Sequence, residues 1–315
     1  MIIPVCEITV GQVVIDAVHQ ADFTLSWKNL TDTGSIQLPR NVEVLGYKGK
    51  PLADFMKVGD AVTVRLGYGE DLADVFTGYV SQIDPQVPVV IKVEDAMWTL
   101  KRTDVVGAWS DVTLATVLQA IAPKLQHKAP GVNLGKFQFK ASATKVLNEL
   151  SGRYGLPAFI RDGKLQVGLQ YDPDWAEVHV FNFEANIKPG HSLEFWSADG
   201  VRLRVKAVSI AKDNTTTTVE VGDGDGELRT LHFFNLAKDE LKSAAIRELD
   251  RLKYDGYRGS FTSFGLPNVR PGDIVDLTDP TYPERGGKYW VDEVKVAFGL
   301  NGFARTITIG PKADA

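Results

Sequence analysis

Two phrases of this sequence are nearly alike, although more than half of the chain separates them. "KVGDAVTVRLGYG" begins at Lys57 and "RPGDIVDLTDPTY" begins at Arg270. In each phrase a Gly-Asp pair precedes hydrophobic residues at every second position, and an aromatic-rich segment follows. Glycine accepts a positive φ and aspartate bonds to nearby backbone amides, so the pair forms a tight corner before a strand. The repetition predicts two β units of related topology.

The residues around both phrases alternate between apolar and polar side chains, which is typical of antiparallel strands. In "ADFTLSWKNL", Phe23, Leu25 and Trp27 share one face, and the same period returns from about Val178 onward. In "TGSIQLPRN", Pro39 is expected to close a strand, because proline cannot serve the interior of a ladder. Short strands punctuated by Gly, Pro and Asp indicate small antiparallel barrels.

A helical period interrupts the β pattern between the two regions. Apolar residues recur at the spacing of one helix face at Leu114, Val117, Leu118 and Ile121. A second helix is predicted between Ser142, a good N-cap residue, and Gly155, a typical C-terminal glycine. Asp162-Gly163 then predicts a hairpin. These signals indicate a compact helix–strand–helix–hairpin unit.

We therefore predict a mainly β protein with an α+β insert, in which two similar small antiparallel β-barrels bracket the helix–strand–helix–hairpin domain. The predicted boundaries are 1–105 for the first barrel, 106–172 for the insert and 173–315 for the second barrel. The second barrel includes a long helix near 236–254, for which Asn235 is the expected cap.

No catalytic or metal-binding motif accompanies this architecture. The histidines are scattered without the spacing of a zinc site, and Cys6 is the single cysteine. The acidic turn "VGDGDGELR" is the best candidate for a calcium site, but it lacks the twelve-residue loop pattern, so a plain turn is favoured at Asp223, Asp225 and Glu227. We predict that the chain is not an enzyme, with no catalytic, cofactor-binding or metal-binding residues and no cofactor.

The charge balance disfavours tight nucleic-acid binding. The chain has 35 basic and 40 acidic residues, a formal net charge of −5, and the charges are interspersed. No apolar run approaches the roughly 18 residues that span a bilayer, and the N-terminus has no basic leader. One cysteine fits synthesis in a reducing cytoplasm.

Four further phrases, in order along almost the whole chain, carry a resemblance to a known family. They are "GSIQLPRN", "TLATVLQAIA", "ELSGRYGLPAFIRDGKLQV" and "GLPNVRPGDIVDL". In this order and spacing the sequence resembles bacteriophage tail baseplate hub proteins, namely the late-control D and Mu-type 43 kDa tail proteins and the hub half of type VI secretion spike proteins.

The resemblance implies a structural protein of the virion baseplate, assembled in the bacterial host cytoplasm. Family members are homotrimers in which each chain places two similar barrels around a channel, so a ring of six units adapts the sixfold tail tube to the threefold central spike. DNA would pass through the channel without stable binding. Because no glycine-spaced β-helix repeats follow the second barrel, we expect a separate central spike protein as a partner.

Three alternatives stay open at this stage. The first is a cell-wall glycan-binding or glycan-cleaving adaptor, whose insert would grip glycan through Trp109 or Tyr154. The second is a hexameric distal-tail ring protein, and the third is a hydrolase with a non-standard site. A carbohydrate platform of aromatic side chains is less favoured than packing in cores and interfaces, the usual role of large rings, for Trp27, Tyr47, Tyr68, Trp98, Trp109 and Trp196.

Overall fold

The structure of the chain, a computed structural model, describes residues 3–38, 55–84 and 88–313. The predicted strand end at Pro39 and the aromatic Tyr47 lie outside these ranges. The first β region, called the first half below, contributes seven described strands within residues 4–94. They are β1 (Pro4–Val10), β2 (Val13–Ile15), β3 (Gln20–Ser26), β4 (Thr33–Leu38), β5 (Ala61–Tyr68), β6 (Asp71–Asp84) and β7 (Val89–Glu94).

An α+β unit follows the first seven strands. Its elements are α1 (Met97–Leu100), β8 (Asp104–Thr113), α2 (Leu114–Ile121), β9 (His127–Lys128), β10 (Asn133–Ser142), α3 (Ala143–Tyr154), β11 (Ala158–Arg161) and β12 (Lys164–Val167). Thr113 caps α2 by accepting a hydrogen bond from the backbone N–H of Thr116, and Gly155 ends α3 in the left-handed conformation. The Asp162-Gly163 turn joins β11 to β12 as predicted.

The chain returns to strands in its second β region, residues 178–312, which is called the second half below. Its elements are β13 (Val178–Asn182), β14 (Glu194–Trp196), β15 (Leu203–Ile210), β16 (Thr216–Gly222), β17 (Glu227–Phe234), α4 (Lys238–Leu252), β18 (Gly256–Phe264), β19 (Ile274–Thr278), β20 (Gly287–Gly299) and β21 (Gly302–Lys312). The strands β15 to β17 form a separate three-stranded sheet against which α4 packs. This excursion lies between β14 and β18, where the first half has only the short connection from β3 to β4.

Six strands of each half are connected in the same way. In the first half the neighbours run β1-β5-β6-β7-β4-β3, and in the second half they run β13-β19-β20-β21-β18-β14. Each strand also holds the same place in chain order within its half. One pairing differs in direction, since β1 and β5 are antiparallel whereas β13 and β19 are parallel. The two halves therefore share strand order and connectivity, with one strand reversed in direction.

The repeated Gly-Asp phrases form the same turn. The N–H of Gly59 donates to the carbonyl of Val80 at 2.8 Å, and the N–H of Val80 donates to the carbonyl of the following aspartate at 2.9 Å. The N–H of Gly272 donates to the carbonyl of Val291 at 2.8 Å, and the N–H of Val291 donates to the carbonyl of Asp273 at 2.9 Å. Both glycines have positive φ, 95° and 84°.

A register shift also recurs just beyond each turn. It falls between Val80 and Gln82 in β6, and between Val291 and Glu293 in β20. Such β-bulges bend a strand and reset which residues face each other. The match of turn, bulge and strand order supports an internal duplication of the strand topology.

The two halves are joined edge to edge by antiparallel pairing of β3 with β20. Among the described residues, this pairing merges their strands into one thirteen-stranded sheet. The mainly β fold with antiparallel sheets is confirmed. The described pairings do not close either half into the predicted barrel; the β3 edge of the first half pairs with β20 of the second. One cluster of buried apolar side chains extends through both halves, and a second fills the insert.

Candidate assembly interface

The second Gly-Asp turn contains a buried carboxylate. Asp273 is 1% exposed, and it accepts hydrogen bonds from Arg161 Nη2 at 2.8 Å and from the backbone N–H groups of Arg270 at 2.8 Å and Glu177 at 3.2 Å. His179 Nε2 lies 3.3 Å away. Burial alone would raise the pKa of Asp273, but the hydrogen bond with His179 and the charge of Arg161 hold it below its ordinary value. The turn therefore contains a buried ion pair between Asp273 and Arg161.

This ion pair attaches the insert to the second half. Arg161 belongs to β11, and its Nη1 also donates to the carbonyl of Pro271 at 2.6 Å. Its guanidinium lies 4.1 Å from the ring centre of Trp175, which packs on Gly272 so closely that a Cβ there would lie 2.3 Å from the ring. Only glycine fits beneath this ring.

The first Gly-Asp turn has a similar cover but no buried ion pair. The ring of Trp98 packs on Gly59, with the guanidinium of Arg102 4.0 Å from the ring centre. Asp60 accepts a hydrogen bond from the backbone N–H of Lys57 at 2.9 Å. Both turns therefore contact the α+β unit, but the second does so through a buried ion pair and the first only through an aromatic ring.

A second buried carboxylate connects the end of β3 to β20. Asp292 accepts hydrogen bonds from Trp27 Nε1 at 3.1 Å and from the Tyr171 hydroxyl at 2.5 Å, and Lys28 Nζ lies 2.7 Å from its other oxygen. Burial and the negative charge of Asp292 raise the pKa of Tyr171, which keeps the phenol protonated as a donor. This cluster stabilises the contact between the halves at the β3–β20 pairing, which is called the seam below.

The phrase "GLPNVRPGD" forms a loop around a buried arginine. Arg305 is 0% exposed and donates to the carbonyls of Gly265 at 2.5 Å and Val269 at 3.2 Å, and to Asn268 Oδ1 at 2.5 Å. Burial, together with the nearby charge of Arg270, lowers the pKa of Arg305 to about 9. The loop is shaped by one guanidinium that satisfies three oxygen acceptors.

The same loop reaches the other two units. Asn268 Nδ2 and Arg270 Nη2 both donate to the backbone carbonyl of Asp74 in β6, at 3.0 and 3.2 Å. Arg270 also pairs with Asp162 in the β11–β12 hairpin. The loop therefore holds the first half, the insert and the second half in one fixed arrangement.

A cleft of about 440 Å³ lies between the first half, the β11–β12 hairpin and this loop. Two carboxyl groups in it are close neighbours: Asp95 Oδ2 accepts from the backbone N–H of Asp32, and Asp32 Oδ1 accepts from that of Ser26. Burial raises the pKa of Asp95 to about 7, and burial and the charge of Asp95 raise that of Asp32. Sequence reasoning missed this pair, because neither residue belongs to a motif.

Replacing Asp32 with asparagine should stabilise the fold at alkaline pH. The folded chain holds the pKa of Asp95 near 7, whereas an exposed aspartate titrates near 4. The stability contributed by the protonated pair is therefore full below about pH 4 and lost as pH rises through 7. We expect Asp32→Asn to raise the free energy of unfolding by about 1–2 kcal/mol at pH 8 and to change it little at pH 4.

Urea unfolding at a series of pH values measures this difference. Asp250→Asn on the exposed face of α4 is the matched control, since it removes one carboxylate without touching the pair. An equal effect of Asp32→Asn at pH 4 and pH 8 would contradict the raised pKa.

The acidic residues of "VGDGDGELR" do not converge on one point. Asp223 pairs with Lys253 Nζ at 2.7 Å, Asp225 pairs with Arg202, and Glu227 lies 2.8 Å from Arg229. Within residues 3–38, 55–84 and 88–313, no three His, Cys, Asp or Glu side chains group as metal ligands would. In the same part of the chain, no helix is long and apolar enough to cross a membrane.

The aromatic side chains proposed from the sequence as a carbohydrate platform contact different neighbours rather than each other. Trp27 belongs to the Asp292 cluster, Trp98 covers the first turn, and Trp109 packs on Phe139 in the insert. Tyr154, a candidate glycan contact, is fully buried, so that alternative loses one of its two named residues. His232 sits beside Gly155, and burial lowers its pKa.

The strands β13 and β14 each present an open edge. Within the described part of the chain, β13 pairs only with β19 and β14 pairs only with β18. Val178 and Val180 face outward on β13, and Phe195 and Trp196 on β14 are 38% and 43% exposed. Open strand edges with apolar side chains are ready sites for pairing with another chain.

No family model matches this sequence, and no curated protein is detectably similar to it. Solved structures do match along nearly the whole chain. A tail protein from Neisseria meningitidis MC58 has a TM-score of 0.65 at 14% identity, over 98% of this chain and 96% of that protein. The 43 kDa tail protein of prophage MuSo2 from Shewanella oneidensis has a TM-score of 0.63 at 15% identity, over 98% of both chains.

A secretion protein has a similar fold. An E. coli component of the type VI secretion system, described as structurally similar to the T4 bacteriophage tail proteins gp27 and gp5, matches with a TM-score of 0.60 at 8% identity, over 96% of this chain and 76% of that protein. At such identities the likeness shows the fold alone. The chain therefore has the fold of phage tail proteins and of related secretion proteins, which confirms the resemblance found in the sequence.

Proposed function

We propose that this chain, which has the fold of phage tail proteins, is the baseplate hub of a phage tail or tail-like particle. Three copies form a ring around a channel and adapt the sixfold tail tube to the threefold central spike. Its partners are copies of itself, the tube protein and a separate spike protein. The protein assembles in the bacterial host cytoplasm and resides in the virion baseplate.

The observation that carries this proposal is the internal duplication. A closed ring of three chains has threefold symmetry, but a ring of three chains with two equivalent halves each presents six similar units. The two halves share strand order, turn and bulge, and β3 and β20 join them edge to edge. A sixfold partner can then contact six similar surfaces, while the insert, present once in each chain, marks threefold positions.

The role is mechanical rather than catalytic. The side chains that the sequence offered for chemistry contribute to packing and to pairwise ion pairs. The raised pKa of the Asp32–Asp95 pair is accompanied by hydrogen bonds that fix local backbone, including one from the N–H of Met97 at the start of α1. An acidic chain, with a net charge of −5, also suits a channel that should not retain DNA.

Absolute mass in solution tests the proposal. Light scattering after size exclusion, over a range of concentrations, should give a species of about 104 kDa, three times the 34.6 kDa of one chain. A hexamer would favour a distal-tail ring protein instead. A strict monomer that retains peptidoglycan through Trp109 would favour the glycan-binding adaptor.

A further inference from the structure

We propose that β14 of one copy pairs antiparallel with the end of β6 of the next copy, in the register that β3 and β20 already use within the chain. The inference rests on the proposed function, because it supplies the strand contact between neighbouring copies of the ring. The occupant of the open β14 edge is thus a second copy of this chain.

The contact inside the chain is the template. In the β3–β20 pair, Leu25 lies opposite Val294 and Ser26 lies opposite Glu293. Leu25 and Val294 are both buried, so this edge-to-edge seam is closed by an apolar pair. If the same pairing also joins neighbouring chains, it uses the strand of the second half that corresponds to β3 and the strand of the first half that corresponds to β20.

The strand that corresponds to β20 is β6, and the bulge aligns the two residue by residue. After the shift, Gln82 pairs with Lys92 in β7, as Glu293 pairs with Thr308 in β21. The next residues, Ile83 and Val294, are therefore equivalent. On the edge that corresponds to the seam, Gln82 and Ile83 have no strand partner within the described part of the chain.

The strand that corresponds to β3 is β14. Gly34 in β4 and Gly259 in β18 are equivalent, because they pair with the equivalent residues Val93 and Ile309. In the first half, Phe23 lies opposite Gly34. In the second half, Glu194 pairs with Arg258, the residue before Gly259, so Leu193 lies beside Gly259 in the equivalent place. Two residues further along each strand, Leu25 and Phe195 are equivalent.

The resulting register makes specific residue pairs between copies. Phe195 lies opposite Ile83 of the next copy, where the internal seam has Leu25 opposite Val294, and Trp196 lies opposite Gln82. In one isolated chain, Phe195 is 38% exposed and rests on Tyr257 with ring centres 5.5 Å apart. Pairing would bury this aromatic ring against an aliphatic side chain, as large apolar side chains at open edges require.

The same register places Glu194 opposite Asp84, a like-charge pair that weakens the contact. Glu194→Gln should therefore strengthen association, lowering the dissociation constant by about two- to five-fold. Asp250→Asn on α4 lowers the net negative charge equally and should leave association unchanged, so a gain confined to Glu194→Gln identifies this register. Unchanged or weaker association would contradict it.

Cysteine cross-linking tests the register directly. Ile83→Cys and Phe195→Cys are introduced into the same full-length chain, which is then treated with a mild oxidant or a short bismaleimide. Directly opposed residues have Cβ atoms about 4.5–5.5 Å apart, within reach of either cross-link. We expect covalent dimers and trimers, and the oxidised product should return to single chains on reduction.

Glu194→Cys with Ile83→Cys is the matched control, because neighbouring side chains on a strand point to opposite faces. It should give at least ten-fold less product. Wild type controls for Cys6, which is buried. Trimers in solution without cross-linking of the Ile83/Phe195 variant would overturn this seam and leave the hub proposal standing. A wild-type chain that remains monomeric and does not cross-link would overturn the seam and count against the ring as well.

Discussion

Asp273→Ala should lower the free energy of unfolding by about 3–5 kcal/mol, because it leaves Arg161 buried without its carboxylate. It also removes the acceptor of the Arg270 and Glu177 backbone N–H groups. Denaturant unfolding at neutral pH measures the loss. The pKa of Asp273 lies below its ordinary value in the folded chain, so the stability it contributes is present above about pH 4 and lost as pH falls through the folded pKa.

The chain contains its own control for this substitution. Asp60→Ala changes the equivalent residue of the first turn, which accepts from the backbone N–H of Lys57 as Asp273 does from that of Arg270 but has no buried arginine, and should cost about 1 kcal/mol. Equal losses for the two variants would contradict the interpretation that the buried ion pair with Arg161 makes the second turn the stronger attachment of the insert. A loss for Asp273→Ala that persists unchanged at pH 2 would contradict the pKa direction.

Arg305→Met should destabilise the fold by about 3–5 kcal/mol, although methionine is apolar and fills much of the same space. Replacing both partners of a buried ion pair can be neutral, but Arg305 has three oxygen acceptors that the substitution leaves in place. Two of them are backbone carbonyls of the loop that contacts Asp74 through Asn268. Urea unfolding measures the loss of stability, and hydrogen exchange measures loosening of residues 265–270.

Arg305→Lys separates charge from geometry. Lysine keeps the positive charge but supplies one nitrogen where the guanidinium supplies three, so it should recover only part of the stability. If methionine were tolerated as well as arginine, the loop would be held by other contacts. If lysine restored full stability, charge alone would explain the buried side chain.

Local signals in the sequence predicted local structure well. The Gly-Asp turns, the Gly155 helix end and the Asp162-Gly163 hairpin each depend on residues within one turn of each other, and each is present. The expected cap at Asn235 was wrong, because α4 begins after Ala237, whose N–H donates to Glu240 Oε2 at 3.0 Å. The capping carboxylate belongs to the third residue of the helix, whereas the prediction considered only a polar side chain that precedes the helix.

Long-range pairings were harder to predict, for a physical reason. A period of two shows which face of a strand is buried, but it does not show which strand lies beside it. The segment "VRLRVKAVSI" was therefore assigned to the second barrel, whereas β15 forms a separate sheet with β16 and β17. The β3–β20 seam was missed for the same reason, and so was the buried Arg305, since nothing local distinguishes it from an exposed arginine.

The repeated phrase has its explanation at two levels. Within one chain, two similar halves are joined through the β3–β20 seam, and the second Gly-Asp turn contains an ion pair with the insert. Between chains, the same seam is the proposed route to a ring of six similar units. In the proposed ring, one polypeptide contacts both a sixfold partner and a threefold partner.

The symmetry of the assembled particle tests this claim most directly. Purified protein at a concentration where the mass corresponds to three chains would be imaged by electron microscopy and averaged in projection along the ring axis. We expect six similar lobes around a channel, with true threefold symmetry and the insert visible at every second lobe. A ring with true sixfold symmetry, or a three-lobed particle without the internal repeat around a channel, would contradict the proposal.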